Sequence, residues 1–209
     1  MRLVLASNNA AKLAELQTLF APLALTLVAQ PALAIAEAAE PHPTFIENAL
    51  AKARHAAQAG GQAAIADDSG LCVDALGGAP GVASAHYAAA ELPKGDREAQ
   101  RRVQDAANNA LLQHRLEGVA DRAARFVCTL VALRSADDPE PLVATGRWEG
   151  RLLTEPRGTG GFGYDPLLFI PALGLSVAEL DAATKNDLSH RALAARQMLA
   201  LMRAAWRLG

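Results

Sequence analysis

The sequence predicts a mixed α/β protein, with one long mixed sheet flanked by helices and bent between two lobes. Three observations point there. Short apolar runs alternate with helical periodicity early in the chain, two longer strand-like runs later follow one another directly, and the apolar content is enough for one sizeable core. Of the 209 residues, 51% are hydrophobic; 48 of these are alanine and 59 are larger. A chain of this length buries roughly 70% of its unfolded surface. No linker, repeat or low-complexity tract interrupts it, so residues 1–209 are expected to form a single domain.

Arg2 to Ala6 reads as a buried strand, and Ala10 to Phe20 as a helix with Leu13, Leu16, Leu19 and Phe20 on one stripe. Leu25 to Ala29 is a second strand, followed by a loop carrying Glu37 and Glu40. Thr44 and Glu47 form a capping box opening a helix that runs to about Ala59, where Gly60-Gly61 ends it. Ala63 to Ala66 is a short strand running straight into Asp67-Asp68-Ser69-Gly70, and Cys72 to Leu76 reads as another. Gly77, Gly78, Pro80 and Gly81 then force a turn. Asp96 to about Leu116 is a polar, Arg-rich helix or helix pair. Phe126 to Leu133 and Leu142 to Leu153 are strands paired antiparallel across Asp137-Asp138-Pro139. A glycine-dense loop follows, and Ser189 to Trp206 is the last helix.

Composition excludes several classes. The net charge is -2 with no long basic run, so a nucleic-acid partner is not expected. Cys72 and Cys128 lie far apart in apolar surroundings and read as buried small hydrophobes, not as a disulfide or zinc framework. His42, His55, His86 and His114 show no ligand spacing. The apolar run Leu3 to Ala6 is too short for a signal peptide, and Leu19 to Ala36 is broken by Pro22, Gln30 and Pro31. No membrane partner is therefore expected, and the location is cytoplasmic.

Four segments carry candidate chemistry. Ser7-Asn8-Asn9 joins a strand to a helix that holds Lys12 one turn in, and Lys12 is one of only four lysines against sixteen arginines. Free amides at a helix start, with hydroxyl, amide and ammonium donors beside them, suit a phosphate chain gripped from Ser7 to Lys12. The plain alternative is a capped helix with a solvated lysine. Asp67-Asp68-Ser69 follows a buried strand, where α/β proteins bind ligands. Neighbouring strand residues face opposite ways, so one aspartate serves a given site, holding magnesium or accepting a proton from water. A second carboxylate is then expected from Glu40, or next from Glu37, whereas Glu47 is explained by capping. The alternative for the aspartate pair is a solvated turn or cap.

Gly158, Gly160, Gly161 and Gly163 fall among Thr159, Phe162, Tyr164 and Asp165. Glycines allow close backbone approach and an aromatic ring among them can stack on a base, though a structural turn with buried rings also fits. Lys185 and Ser189-His190-Arg191 precede the last helix; cations in a first turn oppose the dipole, a mismatch that an anionic or carbonyl-bearing ligand would offset.

The ordered set resembles the inosine/xanthosine triphosphate pyrophosphatase family, which acts on non-standard purine nucleoside triphosphates such as ITP, dITP and XTP. The matching stretches are Leu5-Ala6-Ser7-Asn8-Asn9 with Lys12, Thr44 to Ala49, Ala66 to Leu71, Gly77 to Gly81, Gly158 to Pro166, and Lys185 with Ser189-His190-Arg191. They cover nearly the whole chain in order. The resemblance implies an elongated fold with a central cleft between two lobes, a homodimer, and magnesium-dependent cleavage of the α–β phosphoanhydride to monophosphate and pyrophosphate. It implies that Ser7, Asn8, Asn9, Ala10, Ala11 and Lys12 bind the triphosphate, that Asp68 is general base and metal ligand, and that Glu40 joins it on the Mg2+. It further implies that Ser69 contacts substrate, and that Phe162, Gly163, Tyr164, Asp165, Lys185, His190 and Arg191 form the base and ribose end. Such donors would accept the 6-oxo group of hypoxanthine or xanthine and face the amino group of adenine unfavourably. Guanine must then be refused by crowding or an unmet 2-amino group.

Family members pass quickly from the region of Tyr87 to an Asp-x-x-Asn helix start, aligned here with Asp105 and Asn108. Ala90 to Gln104 therefore reads as a small insertion bearing Arg97, Arg101 and Arg102. Three rival readings stand beside the family one: a phosphatase using an aspartyl nucleophile, a nucleotide-binding sensor without catalysis, and a pyrophosphatase for other modified nucleotides.

Overall fold

The computed structural model describes residues 1–23 and 25–208. Among the described residues a seven-stranded sheet runs in the order β2-β1-β3-β4-β5-β6-β7, and the chain divides into two compact units. The first comprises Met1–Ser69, Val127–Arg147 and Asn186–Gly209, and the second Gly70–Phe126 and Trp148–Lys185. Three long strands, β3 (Ala64–Val73), β4 (Ala123–Leu133) and β5 (Leu142–Leu152), contribute residues to both.

In the first unit β1 (Arg2–Leu5) pairs parallel with β2 (Thr26–Ala29) and with β3, in the register Val4 opposite Ala64 and Leu5 opposite Ile65. Side chains alternate across the sheet, so each face has its own core. Leu3, Leu5, Ile65, Cys128 and Leu130 pack with Leu16 and Phe20 of α1 (Ala10–Phe20) and Met198 and Met202 of α5 (His190–Trp206). Val4, Ala6, Ala64, Ala66 and Val131 pack with Ala49, Ala53, Ala56 and Ala57 of α2 (Phe45–Gly60). The many alanines thus have a use: they give α2 a thin face that lies close on the sheet.

The helix ends follow local chemistry. Thr44 accepts the Glu47 amide as predicted, and Gly61 closes α2 in the left-handed region. Ser189 caps α5 by accepting the Ala192 amide. Gly146 of β5 lies under α5, where a Cβ would overlap the His190 carbonyl and come within 2.6 Å of the Ala194 nitrogen.

In the second unit Leu71, Val73, Phe126, Trp148, Leu152 and Leu168 pack with Leu112 of α3 (Arg97–Arg115) and with Leu116, which caps its end. Here β6 (Leu168–Ile170) pairs antiparallel with β5 and with β7 (Leu175–Ser176), and α4 (Ala182–Leu188) follows.

The structure departs from the sequence reading in three places. Asp67 to Gly70 lie inside β3, not beyond it, because burial and sheet pairing override the low strand preference of aspartate and glycine. The strand ends at Val73, and Asp74 to Leu76 form a 3-10 turn. The helix read from Asp96 stands as one helix from Arg97: Asp96 caps it by accepting the Glu98 amide at 2.9 Å, and Asp105 and Asn108, aligned with the family's helix start, lie well inside it. Finally β6, β7 and α4 fill the stretch read as loop; each is short, and residue periodicity over so few positions carries no signal.

Candidate active site

β1 leaves the sheet at Leu5 and enters α1 through a tight turn. The Asn9 amide donates to Ser7 Oγ at 3.1 Å, and Asn9 Oδ1 caps the helix by accepting the Lys12 amide at 3.1 Å. Asn8 accepts from Gln30 at 3.0 Å. Ala10 and Ala11 open the helix, where backbone N–H groups have no intrahelical acceptor. The Ser7, Asn9 and Lys12 amides are donated within the turn, and the Asn8, Ala10 and Ala11 amides lie at the positive end of a helix dipole.

Parallel register carries Asp67 to the same sheet end as Ser7, two positions past the Leu5–Ile65 pair. Asp67 and Asp68 then diverge, as strand alternation requires. Asp67 shares the α1/α5 face: Oδ1 accepts from Lys12 Nζ at 2.6 Å and from Ser69 Oγ at 2.7 Å, and Oδ2 accepts from Arg191 Nε at 2.7 Å. Arg191 also holds Glu15, so it is a buried hub only 2% exposed. Burial opposes charge on Asp67, but Arg191 and Lys12 outweigh it and hold the carboxyl well below the usual range. Cys128, beside Asp67 Oδ2 at 3.5 Å, has its thiol pushed up by burial and is an inert core residue.

Asp68 turns to the α2 face. Its Oδ1 accepts from Lys52 Nζ at 2.9 Å, and the same ammonium donates to Glu40 Oε2 at 2.9 Å. Burial raises Asp68 to about 6 against the pull of Lys52. For Glu40 burial works upward too, but Lys52 prevails and lowers it. Lys12 lies within electrostatic reach of Glu40, Asp67 and Asp68, so the α1 turn and the acid share one field. Asp68 Oδ2 is buried without a hydrogen-bond partner. An orphaned carboxylate oxygen beside a second, part-exposed carboxylate is the hard-oxygen donor set that magnesium takes, with waters completing its shell. No group of three or more His, Cys, Asp or Glu that could hold a metal occurs among the described residues.

The second unit holds the other cluster. Gly158, at φ 79°, packs so closely on Ala178 that a Cβ would come within 2.6 Å of its carbonyl carbon, and the Gly160 amide donates to Ala178 O at 3.0 Å. Asp165, buried, accepts the Phe162 amide at 2.9 Å and Lys185 Nζ at 2.8 Å; that ammonium stands 4.7 Å from the Phe162 ring centre. Tyr164 is buried and donates its hydroxyl to Ser84 O at 2.9 Å, so its ring anchors the loop.

The first unit thus gathers Ser7 to Lys12, Glu40, Asp68, Ser69, His190 and Arg191, with His190 buried at the start of α5; the second gathers Phe162 to Asp165 and Lys185. Lys52 was missed, although the scarcity of lysine singles it out as it does Lys12. Asp67 was left without a role because its partners lie 55 and 124 positions away.

Fold and site define an α/β protein whose charged groups gather at the carboxyl ends of parallel strands beside a helix start, an arrangement suited to a phosphate-bearing ligand. Residues 3–201 match the Ham1 family, and the chain belongs to that family. A dITP/XTP pyrophosphatase of Methylibium petroleiphilum is 73% identical over 206 residues, 99% of each chain. One from Leptothrix cholodnii is 72% identical over the full length of both. Among solved structures, a HAM1 protein from Coxiella burnetii superposes with a TM-score of 0.85 at 40% identity, covering 98% of this chain and 100% of its own. The Staphylococcus aureus Ham1 protein gives 0.81 at 34% identity, covering 98% and 99%.

Proposed function

We propose that this chain hydrolyses non-standard purine nucleoside triphosphates, dITP, ITP and XTP, to the monophosphate and pyrophosphate, clearing them from the nucleotide pool. The observation that carries this reading is the pairing, at one sheet end, of a helix-start turn bearing Lys12 with a buried carboxyl, Asp68, raised to about 6. Full-length relatives named dITP/XTP pyrophosphatase supply the substrate class.

Ser7 to Lys12 take the phosphate oxygens with amide, hydroxyl and ammonium donors. Asp68 receives a proton from water as the water oxygen bonds to the α-phosphorus; the bond from that phosphorus to the α–β bridging oxygen breaks, and pyrophosphate leaves with the electron pair. A carboxyl poised near neutral pH suits this transfer. Glu40 and Asp68 would hold magnesium, which supplies positive charge against the phosphates when bound. Positioning and charge suffice for such displacements, so no covalent nucleophile is needed.

Lys52 holds both carboxylates in place, and Asp67 does the same for Lys12 and Ser69. Phe162 and Gly163 would meet the base, with Lys185 as a donor to its 6-oxo group; His190, at the start of α5, is proposed as a further substrate donor. Asp165 contributes by fixing Phe162 and Lys185, Tyr164 by anchoring the loop on Ser84, and Arg191 by fixing Asp67 and Ser69. A cytoplasmic location and a homodimer are part of the same proposal. No helix among the described residues is long and apolar enough to cross a membrane.

The test is a panel of dITP, XTP, ITP, ATP and GTP assayed for pyrophosphate with and without magnesium. Release from the first three, far above ATP and GTP and only with magnesium, is expected. Stepwise phosphate release, or binding without turnover, would overturn the reading.

A further inference from the structure

One face of α3 grips the backbone of the glycine-rich segment. The Gly163 amide donates to Asp105 Oδ2 at 2.8 Å, and one turn on, Asn109 Nδ2 donates to the Gly163 carbonyl at 3.0 Å. A further turn on, Gln113 Nε2 donates to the Leu153 carbonyl at 2.9 Å, and its own Oε1 is held by Arg122. Residues at i, i+4 and i+8 share a helix face, so three polar side chains fix both ends of the stretch from 153 to 163. Gly163 is held at both N–H and C=O, next to Phe162, whose amide is held by Asp165.

We infer that Asp105 and Asn109 are positioning residues that fix the backbone N–H and C=O of Gly163, and with them the neighbouring Phe162, for recognition of the purine base. α3 itself is capped at Asp96 and buried through Gln104, Asn108 and Leu112. Asp105 is half-buried yet accepts a backbone amide, and burial raises its pKa above the ordinary value despite that bond. A helix-borne acceptor and donor hold a loop peptide in one orientation, and an aromatic ring held in register avoids the entropy of ordering on binding.

The inference rests on the proposed pyrophosphatase reading, and the experiment separates the two. Asn109→Asp sets an acceptor against the Gly163 carbonyl, Asp105→Ala removes the amide's acceptor, and Asp105→Asn keeps one. For the first two, KM for dITP should rise by about tenfold with kcat within about twofold. The inhibition constant of inorganic pyrophosphate, which has no base, and the melting temperature should stay near wild type. Asp105→Asn should restore KM. Unchanged KM, or parallel losses in pyrophosphate binding and melting temperature, would overturn the inference. A wild-type protein that releases no pyrophosphate from dITP would instead overturn the function itself.

Discussion

Two adjacent aspartates on one strand have opposite fates, and alternation is the reason. Asp67 meets two cations and stays ionised; Asp68 meets one, keeps an unpartnered oxygen, and is raised to about 6. Asp68→Asn keeps the shape and the bond to Lys52 but removes the proposed proton acceptor. Turnover of dITP should fall by roughly 10²–10⁴-fold while the melting curve and far-ultraviolet circular dichroism remain those of the wild type. Near-normal turnover would remove Asp68 from the chemistry. Lys52→Met leaves two carboxylates facing each other without their cation. Urea unfolding should show a loss of about 2–3 kcal/mol, since the Asp68 side of the pair is buried and the Glu40 side is 46% exposed. A stability equal to wild type would mean that Lys52 holds nothing in place.

At the scale of elements, the strands and helices that build the first unit were legible because their signals are local. Caps, glycine stops and apolar stripes act over three or four residues, and Thr44, Gly61, Ser189 and the Leu16–Phe20 stripe all stand where those signals put them. β3 was read as two pieces because Asp67-Asp68-Ser69-Gly70 looks like a turn in isolation; only its neighbours in the sheet make it strand. Gly146 had no signal at all. The β5 backbone passes under α5 so closely that even a methyl group collides with backbone atoms. Gly146→Ala should cost more than about 2 kcal/mol, visible as a melting temperature lower by several degrees. Tolerance of alanine there would contradict the close packing.

Across the whole molecule, the candidate site depends on charges drawn from distant parts of the chain. Binding to the folded state alone raises stability by mass action, about 2.7 kcal/mol at a ligand concentration 100-fold above Kd. Magnesium should therefore raise the melting temperature of the wild type in a concentration-dependent way, and should do so much less in Glu40→Gln. Equal shifts in both proteins would show that Glu40 does not hold the ion. The same measurement needs no substrate, so it tests the donor set apart from turnover.

By itself the sequence determined the fold class, the major helices with their caps, the strand-to-helix turn at Ser7 to Lys12, and the Asp67-Asp68 pair with Glu40 as carboxylates worth attention, without choosing between the two aspartates. Each of these is written in neighbouring residues: a period, a cap, or a polar cluster at the end of an apolar run. Only the tertiary structure decided that Lys52 joins Glu40 to Asp68, that Arg191 clamps Asp67 from 124 positions away and Glu15 from 176, and that α3 holds Gly163 by both its backbone N–H and its C=O. Ion pairs and backbone clamps depend on distance in space, and a chain reveals that distance only once parallel register and packed helices bring its remote segments together.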